Sequence, residues 1–341
     1  MSDSKDTTKL EDALQAVCRQ HLGGPMSKLA RLAGGANCEM WAFRVRRKTY
    51  VLRKGVRAAL QTEAADGAGA GALAQRQEAE LLRAVATHAP QVPVAPVVHI
   101  CDDADGLGDS FIMGWLEGEA IARKILRDEA FASVRPRLAA QCGEILAHIH
   151  ACPVAALPPS LPRAPASSLL AHYVRLLEAH GHPHPVFELA VQWLRHNLPP
   201  PGPPALVHGD FRHGNLMVDA AHGVSAVLDW ELSHSGDALE DLGWLCVPSW
   251  RFGALAHPVG GFGDYDALID AYQSAGGVCD MRALRFWEIF GTFKWGIICT
   301  QMGDAAAGLG YALERAAIGR RASETELDLL HYLDEEIQRA G

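Results

Sequence analysis

Apolar positions in the first third of the chain recur mostly with the period of strands, and in the rest with the period of helices. Residues 9–21 have the spacing of a short helix. The runs "SKLARLAGG", "EMWAFRVRR" and "TYVLRK" then read as three strands, separated by Gly-Gly-Ala-Asn and by a basic Arg-Arg-Lys. In the second run Trp41, Phe43 and Val45 fall on one face and Ala42, Arg44 and Arg46 on the other, which predicts an antiparallel meander. The Ala/Gly-rich stretch 55–72 reads as a mobile loop. Residues 73–88 carry a helical apolar stripe, and "APVVHIC" and "SFIMGWLEG" are two more strand candidates.

Beyond residue 118 the spacing predicts helices over 136–152, 167–180, 185–197, 264–275, 281–302 and 322–339. A Pro-rich stretch interrupts at 153–165, and another precedes a strand at 205–208. "NLMVDAAHGVSAVLDW" reads as a hairpin. Strands first and helices later, with a hairpin embedded among the helices, predict an α+β fold in two lobes, residues 1–117 and 118–341.

Composition narrows the function mostly by exclusion. The 341 residues carry a net charge of −9, which disfavours non-specific nucleic-acid binding by the surface as a whole. No stretch reaches the roughly 18–20 continuous apolar residues of a membrane span. The N-terminal segment is polar and acidic where a leader would be basic and then apolar, so the expectation is a cytoplasmic protein. Eight scattered cysteines without a Cys-x-x-Cys pair read as reduced core thiols.

The chemistry concentrates in "LVHGDFRHGNLMVD" (206–219) and the "LDWE" that follows. Asp210 and Asn215 share a short loop between a strand and the hairpin, and Asp229 ends the hairpin. Two carboxylates and a carboxamide brought to one cleft suit Mg²⁺, a hard cation that binds oxygen ligands together with substrate phosphates. The spacing His208-Gly209-Asp210-x-x-x-x-Asn215, then Asp229-Trp230-Glu231, matches the His-Arg-Asp-x-x-x-x-Asn and Asp-Phe-Gly pattern of phosphoryl-transfer sites.

With "HGDFRHGN", "LDWELSHSGDALEDLGWL" and the upstream "YVLRK", the chain resembles the aminoglycoside phosphotransferase/choline kinase-like family from about residue 25 to 310. Within that family it looks nearest the kinase-like domains found in acyl-CoA dehydrogenase fusions. The resemblance implies a two-lobed protein-kinase-like fold, ATP and Mg²⁺ as cofactors, and a small-molecule hydroxyl acceptor as partner. It makes Asp210 the catalytic base and gives Asn215 and Asp229 the metal. Arg212 stands where many protein kinases place a Lys near the γ-phosphate, and His208 orders the loop. Arg53 occupies the place of the family's nucleotide-binding Lys; sharing a strand face with Val51, it points to the cleft while Lys54 turns away. Its helix partner is Glu78, with Glu80 second. Gly34 and Gly35 would let backbone amides approach phosphate, and the backbone of Met113–Leu116, Trp115 included, would meet adenine.

Only "LSHSG" separates Asp-Trp-Glu from a helix expected to start at Asp237 as N-cap, so there is no long loop to phosphorylate. Asp241 reads as a loop anchor, and His148 and His150 as packing residues. Trp287, Phe290, Phe293 and Trp295 are either an acceptor wall or, more commonly for such stripes, core. Family members act on aminoglycosides, choline, other amino alcohols or sugars, and the acyl-CoA dehydrogenase-linked relatives on hydroxyacyl-CoA esters. Arg251, Arg285 and Lys294 would suit a CoA ester, which favours an anionic or neutral acceptor. Two other readings stay open: a nucleotide-binding pseudokinase, for which Arg53 speaks weakly, and a metal-dependent hydrolase built on His208, Asp210 and His213.

Overall fold

A computed structural model describes residues 2–32, 38–55, 71–308 and 312–340. Gly34, Gly35 and most of the Ala/Gly-rich stretch lie outside these. Helix α1 (Ser2–His21) leads into strands β1 (Met26–Arg31), β2 (Cys38–Val45) and β3 (Lys48–Gly55), then α2 (Gln75–His88), β4 (Val97–Ile100) and β5 (Ser110–Gly114). The five strands form one antiparallel sheet in the order β1-β2-β3-β5-β4. The two-residue alternation divides its faces as expected. Phe43, Val45, Leu52 and Ile112 pack with Leu14, Val17 and Cys18 of α1 in one core. Phe111, on the opposite face, joins Leu81, Leu82 and Val85 of α2 in the other.

The chain leaves the sheet through Gly118, whose φ of +141° suits glycine and whose added Cβ would lie 2.6 Å from Met217 Cγ. Reciprocal backbone hydrogen bonds of 2.9 Å between Glu119 and Val218 then fix it against the hairpin of β7 (Leu216–Asp219) and β8 (Gly223–Val227). The remainder is mostly helical: α3 (Ala122–Arg127), α4 (Leu138–His150), α5 (Ala166–His180), α6 (Pro185–His196), α7 (Leu239–Cys246), α8 (Tyr265–Ser274), α9 (Met281–Gly308), α10 (Ala312–Gly319) and α11 (Ala322–Ala340). Strands β6 (Ala205–Val207) and β9 (His234–Gly236) pair antiparallel. Trp287, Phe290 and Phe293 on α9 are fully buried, so this stripe is core; each such side chain removed from water contributes roughly 1.5–3 kcal/mol.

Three elements lack a sequence signal. The strand β9 is only His-Ser-Gly and shows no alternation; its pairing with β6 creates it. The short α3 and α10 were not expected either. Helix α7 begins at Leu239 with Ala238 as N-cap, one residue after the expected Asp237, although the Asp237 carboxylate still accepts from Leu239 N at 3.0 Å. All eight cysteines are free thiols. No described helix is long and apolar enough to cross a membrane.

Candidate active site

The loop 208–215 leaves β6 and is fixed by its backbone. Gly209 has φ +83°, and a Cβ there would come 2.4 Å from Leu232 O, so only glycine makes this turn. Asp241, in the first turn of α7 and fully buried, accepts the backbone N–H groups of His208 (2.8 Å) and Gly209 (2.9 Å) and Nε2–H of His150 from α4 (3.2 Å). Burial would raise its pKa, but these bonds, with His150 foremost, outweigh it and hold the carboxyl below its usual range. The His208 ring donates from Nε2 to Leu228 O (3.0 Å) and accepts Asp210 N–H at Nδ1 (3.2 Å). Burial pushes its pKa down, which agrees with a neutral imidazole in that tautomer.

The Asp210 carboxylate is held by three side-chain donors. Oδ1 accepts from Arg212 Nε and Trp244 Nε1, both at 2.8 Å, and Oδ2 accepts from Asn215 Nδ2 at 2.6 Å. Arg212 also donates from Nη1 to His213 O (2.8 Å) and lies over the Trp250 ring, 4.6 Å from its centroid. Trp250 packs in turn on Trp244 and Trp295. Behind the loop, buried Lys294 reaches Gly209 O (3.3 Å) and Glu240 (3.5 Å) and sits over the Trp244 ring.

Across the cleft, Arg53 stands on β3 with three carboxylates around it. Nη2 donates to Asp229 (2.7 Å) and Glu231 (2.9 Å), and Nε to Gln75 Oε1 (3.0 Å). Glu78 Oε2 lies 3.0 Å from the same Nε as an ion pair not aligned for a hydrogen bond, while its Oε1 accepts Trp230 N–H (3.2 Å). Burial, against the pull of Arg53, raises the Glu78 carboxyl to about 7. Lys54 turns away to Leu107 O, and Glu80 is not among these partners. Asp229 adopts a left-handed φ of +63°. Among the described residues the Asn215 amide oxygen and Asp229 Oδ2 have no partner. These hard oxygens, beside carboxylates in excess of one guanidinium, are a donor set that fits Mg²⁺.

Met113 lies within β5, opposite Val51 and Val97, and Trp115 follows the strand, 41% exposed, with its N–H on Thr49 O (3.2 Å). The hydrolase trio does not assemble: His208 faces Leu228, whereas His213 is buried between Phe252 and Phe262. The basic acceptor surface is not formed by the three residues expected to make it. Lys294 is internal, Arg285 is spent on Glu288, Glu335 and Glu336, and Arg251 on Cys246 O and Tyr332. Sequence reasoning missed Gln75, Glu231 as an Arg53 partner, and Trp244 and Trp250. Only Trp244 left a usable trace, three residues after Asp241 and hence on the same helix face.

Comparison with known proteins agrees with this geometry. The model of the phosphotransferase enzyme family matches residues 28–278. Acyl-CoA dehydrogenase family member 10 of Mus musculus is 28% identical over 252 residues, 70% of this chain but only 22% of that protein, so the chain corresponds to a part of it. Among solved structures, an assigned aminoglycoside phosphotransferase from Ralstonia eutropha superposes with a TM-score of 0.72 at 22% identity, covering 95% of this chain and 98% of that one. Spectinomycin phosphotransferase in complex with ADP and spectinomycin gives a TM-score of 0.60 at 13% identity, with 95% and 93% covered. At such identities the structures speak for the kinase-like fold, and the family match speaks for the chemistry. The chain belongs to the phosphotransferase enzyme family.

Proposed function

We propose that the protein moves the γ-phosphoryl group of ATP, with Mg²⁺, to a hydroxyl of a small neutral or anionic metabolite, residues 1–117 serving the nucleotide and 118–341 the metal and acceptor. The observation that carries this reading is the Asp210 carboxylate, held by Arg212, Trp244 and Asn215 while Asn215 and Asp229 each keep an oxygen without a partner among the described residues. Asp210 orients the acceptor hydroxyl and takes its proton as the oxygen attacks phosphorus. Arg53, whose Nη1 has no partner among the described residues, clamps the nucleotide phosphates from β3, and Glu78 with Gln75 fixes its fork. Arg212, held over the Trp250 ring, lends its charge to the transferring group. Mg²⁺ held by Asn215 and Asp229 would neutralise phosphate charge. Met113 and Trp115 border the adenine side; Gly34 and Gly35, which the sequence suggests for the phosphates, lie outside the described residues.

The ADP held by the spectinomycin enzyme supports a purine nucleotide donor. The relationship to an acyl-CoA dehydrogenase family member supports a hydroxyacyl acceptor over an aminoglycoside. So does Arg212, a cation beside the base where a polycationic antibiotic would need acids. A binding-only role has one observation in its favour, the occupation of Arg53 by three carboxylates. ADP release with Mg·ATP over hydroxyacyl-CoA esters, amino alcohols, sugars and aminoglycosides tests both. Acceptor-dependent release, lowered at least about 10²-fold in Asp210→Ala with nucleotide affinity kept, is the expected result. Wild-type turnover in the variant would refute the role of Asp210, and nucleotide binding without turnover on any acceptor would favour the binding-only role.

A further inference from the structure

Away from the cleft, on the α1 side of the sheet, three side chains from separate elements converge. His21 is the last residue of α1, His99 lies on β4, and Asp105 closes the 3-10 turn 103–105. Each offers one ligand atom, and these atoms all lie within 4.8 Å of one another. Among the described residues no other group of three His, Cys, Asp or Glu converges in this way.

The carboxylate is set in place before any ligand arrives. Asp102 caps the turn by accepting the N–H groups of Ala104 (2.9 Å) and Asp105 (3.3 Å). Asp105 Oδ2 accepts Asp102 N–H (3.0 Å) and His99 Nε2–H (2.8 Å), and Oδ1 faces His21 Nε2 at 3.9 Å. The two imidazoles stack with centroids 4.1 Å apart and planes inclined by 22°. Two imidazoles and a carboxylate brought this close are a donor set that one late divalent cation can take.

Metal–nitrogen and metal–oxygen bonds of about 2.0–2.2 Å place ligand atoms roughly 3.4 Å apart in a tetrahedral site. The separations from the Asp105 carboxylate, 2.8 Å from Oδ2 to His99 Nε2 and 3.9 Å from Oδ1 to His21 Nε2, lie either side of that spacing. The ring that must rotate to leave the stack is His21, the most exposed of the three and the last residue of its helix.

We infer that His21, His99 and Asp105 form a binding site for Zn²⁺ or a similar late first-row divalent cation, with a fourth position open to water. Imidazole nitrogens select such ions over Mg²⁺, so the site is chemically distinct from the oxygen donors of the cleft. A bound ion would pin the end of α1 to β4 and the 3-10 turn, joining a helix to a sheet that it otherwise meets through an apolar core and the Met26 N–H to Gln15 hydrogen bond. The inference is independent of the phosphotransfer reading.

The test uses the full chain freed of metal by a chelator and titrated with Co²⁺ in excess Mg²⁺. Visible absorption reads the geometry, and Zn²⁺ competition and thermal melting follow. The expected result is one Co²⁺ per chain with tetrahedral-type bands, displaced by Zn²⁺, and a melting temperature raised by Zn²⁺. His21→Ala, an exposed change at a helix end, should weaken uptake about tenfold or more and abolish the thermal shift while its metal-free melt stays that of the wild type. Asp105→Asn should do the same if it folds; His21→Ala decides if it does not. No stoichiometric uptake by the wild type, or uptake by folded His21→Ala equal to the wild type, would overturn the site.

Discussion

Replacing Asp241 by Asn changes one buried atom and leaves the shape alone, yet it should unseat the loop 208–215. Oδ1 of Asp241 serves Gly209 N–H at 2.9 Å, and Oδ2 serves His208 N–H at 2.8 Å and His150 Nε2–H at 3.2 Å. An amide has one acceptor oxygen and one NH₂, so in either orientation the NH₂ faces a backbone N–H. The less costly orientation keeps His208 and His150 and leaves the Gly209 N–H buried without a partner, at about 1–3 kcal/mol. Gly209 cannot relax far, because its left-handed turn already packs against Leu232 O. Asp210 follows directly, and a shift of about 1 Å in a reacting group costs on the order of 10²-fold in rate. Urea unfolding at neutral pH reads the first number, and kcat for ADP release reads the second. Stability within about 0.5 kcal/mol of the wild type together with unchanged kcat would refute the claim that Asp241 sets the loop.

Other expectations follow from the same geometry. Trp244→Phe deletes the indole donor to Asp210 and shrinks the ring on which Lys294 and Trp250 pack, so kcat should fall about tenfold or more at nearly unchanged nucleotide affinity, checked by steady-state kinetics and calorimetry. Arg53→Ala leaves Glu78 and Glu231 facing each other without their cation; thermal melts should show a loss of about 3–5 kcal/mol, with nucleotide affinity lost as well. The pKa of His213 is pushed down to about 3 by burial and then by Arg212, so the unfolded chain takes up a proton below about 6.5 that the folded chain refuses. Stability is therefore full above that pH and lost as pH falls toward 3. His213→Phe should flatten this slope, gaining about 2 kcal/mol at pH 5 in urea melts, and an unchanged slope would refute it.

The loop and the placement of its polar residues were legible because spacing alone joins them: Asp210 to Asn215 within one turn, and Asp229 at the end of a hairpin with alternating apolar positions. Strand alternation likewise gave the faces of the sheet, since Phe43 and Val45 need a core and Arg53, on the other side of β3, does not face it. What stayed hidden depends on contacts between distant segments. Arg285 and Lys294 carry the charge a CoA ester would seek, but charge says nothing of whether a neighbouring helix has already supplied the counter-ion, as Glu335 and Glu240 do here. The same holds for β9, which exists because β6 offers it an edge.

Helix α7 shows how far a plain pattern can conceal a device. "LEDLGWLC" reads as a short apolar helix, and all eight of its residues are buried. Its spacing of three puts Asp241 and Trp244 on one face. The first holds the backbone of the loop at His208 and Gly209, and the second holds the side chain of Asp210. A rigid helix thus fixes both the position of the Asp210 carboxylate and its direction, while Lys294 from α9 ties the loop carbonyl of Gly209 to the same helix through Glu240. Because backbone and side chain answer to one element, Asp241→Asn and Trp244→Phe should not act independently. Once the loop has moved, the indole donor no longer meets Asp210, and the double variant should lose less than the product of the two single effects.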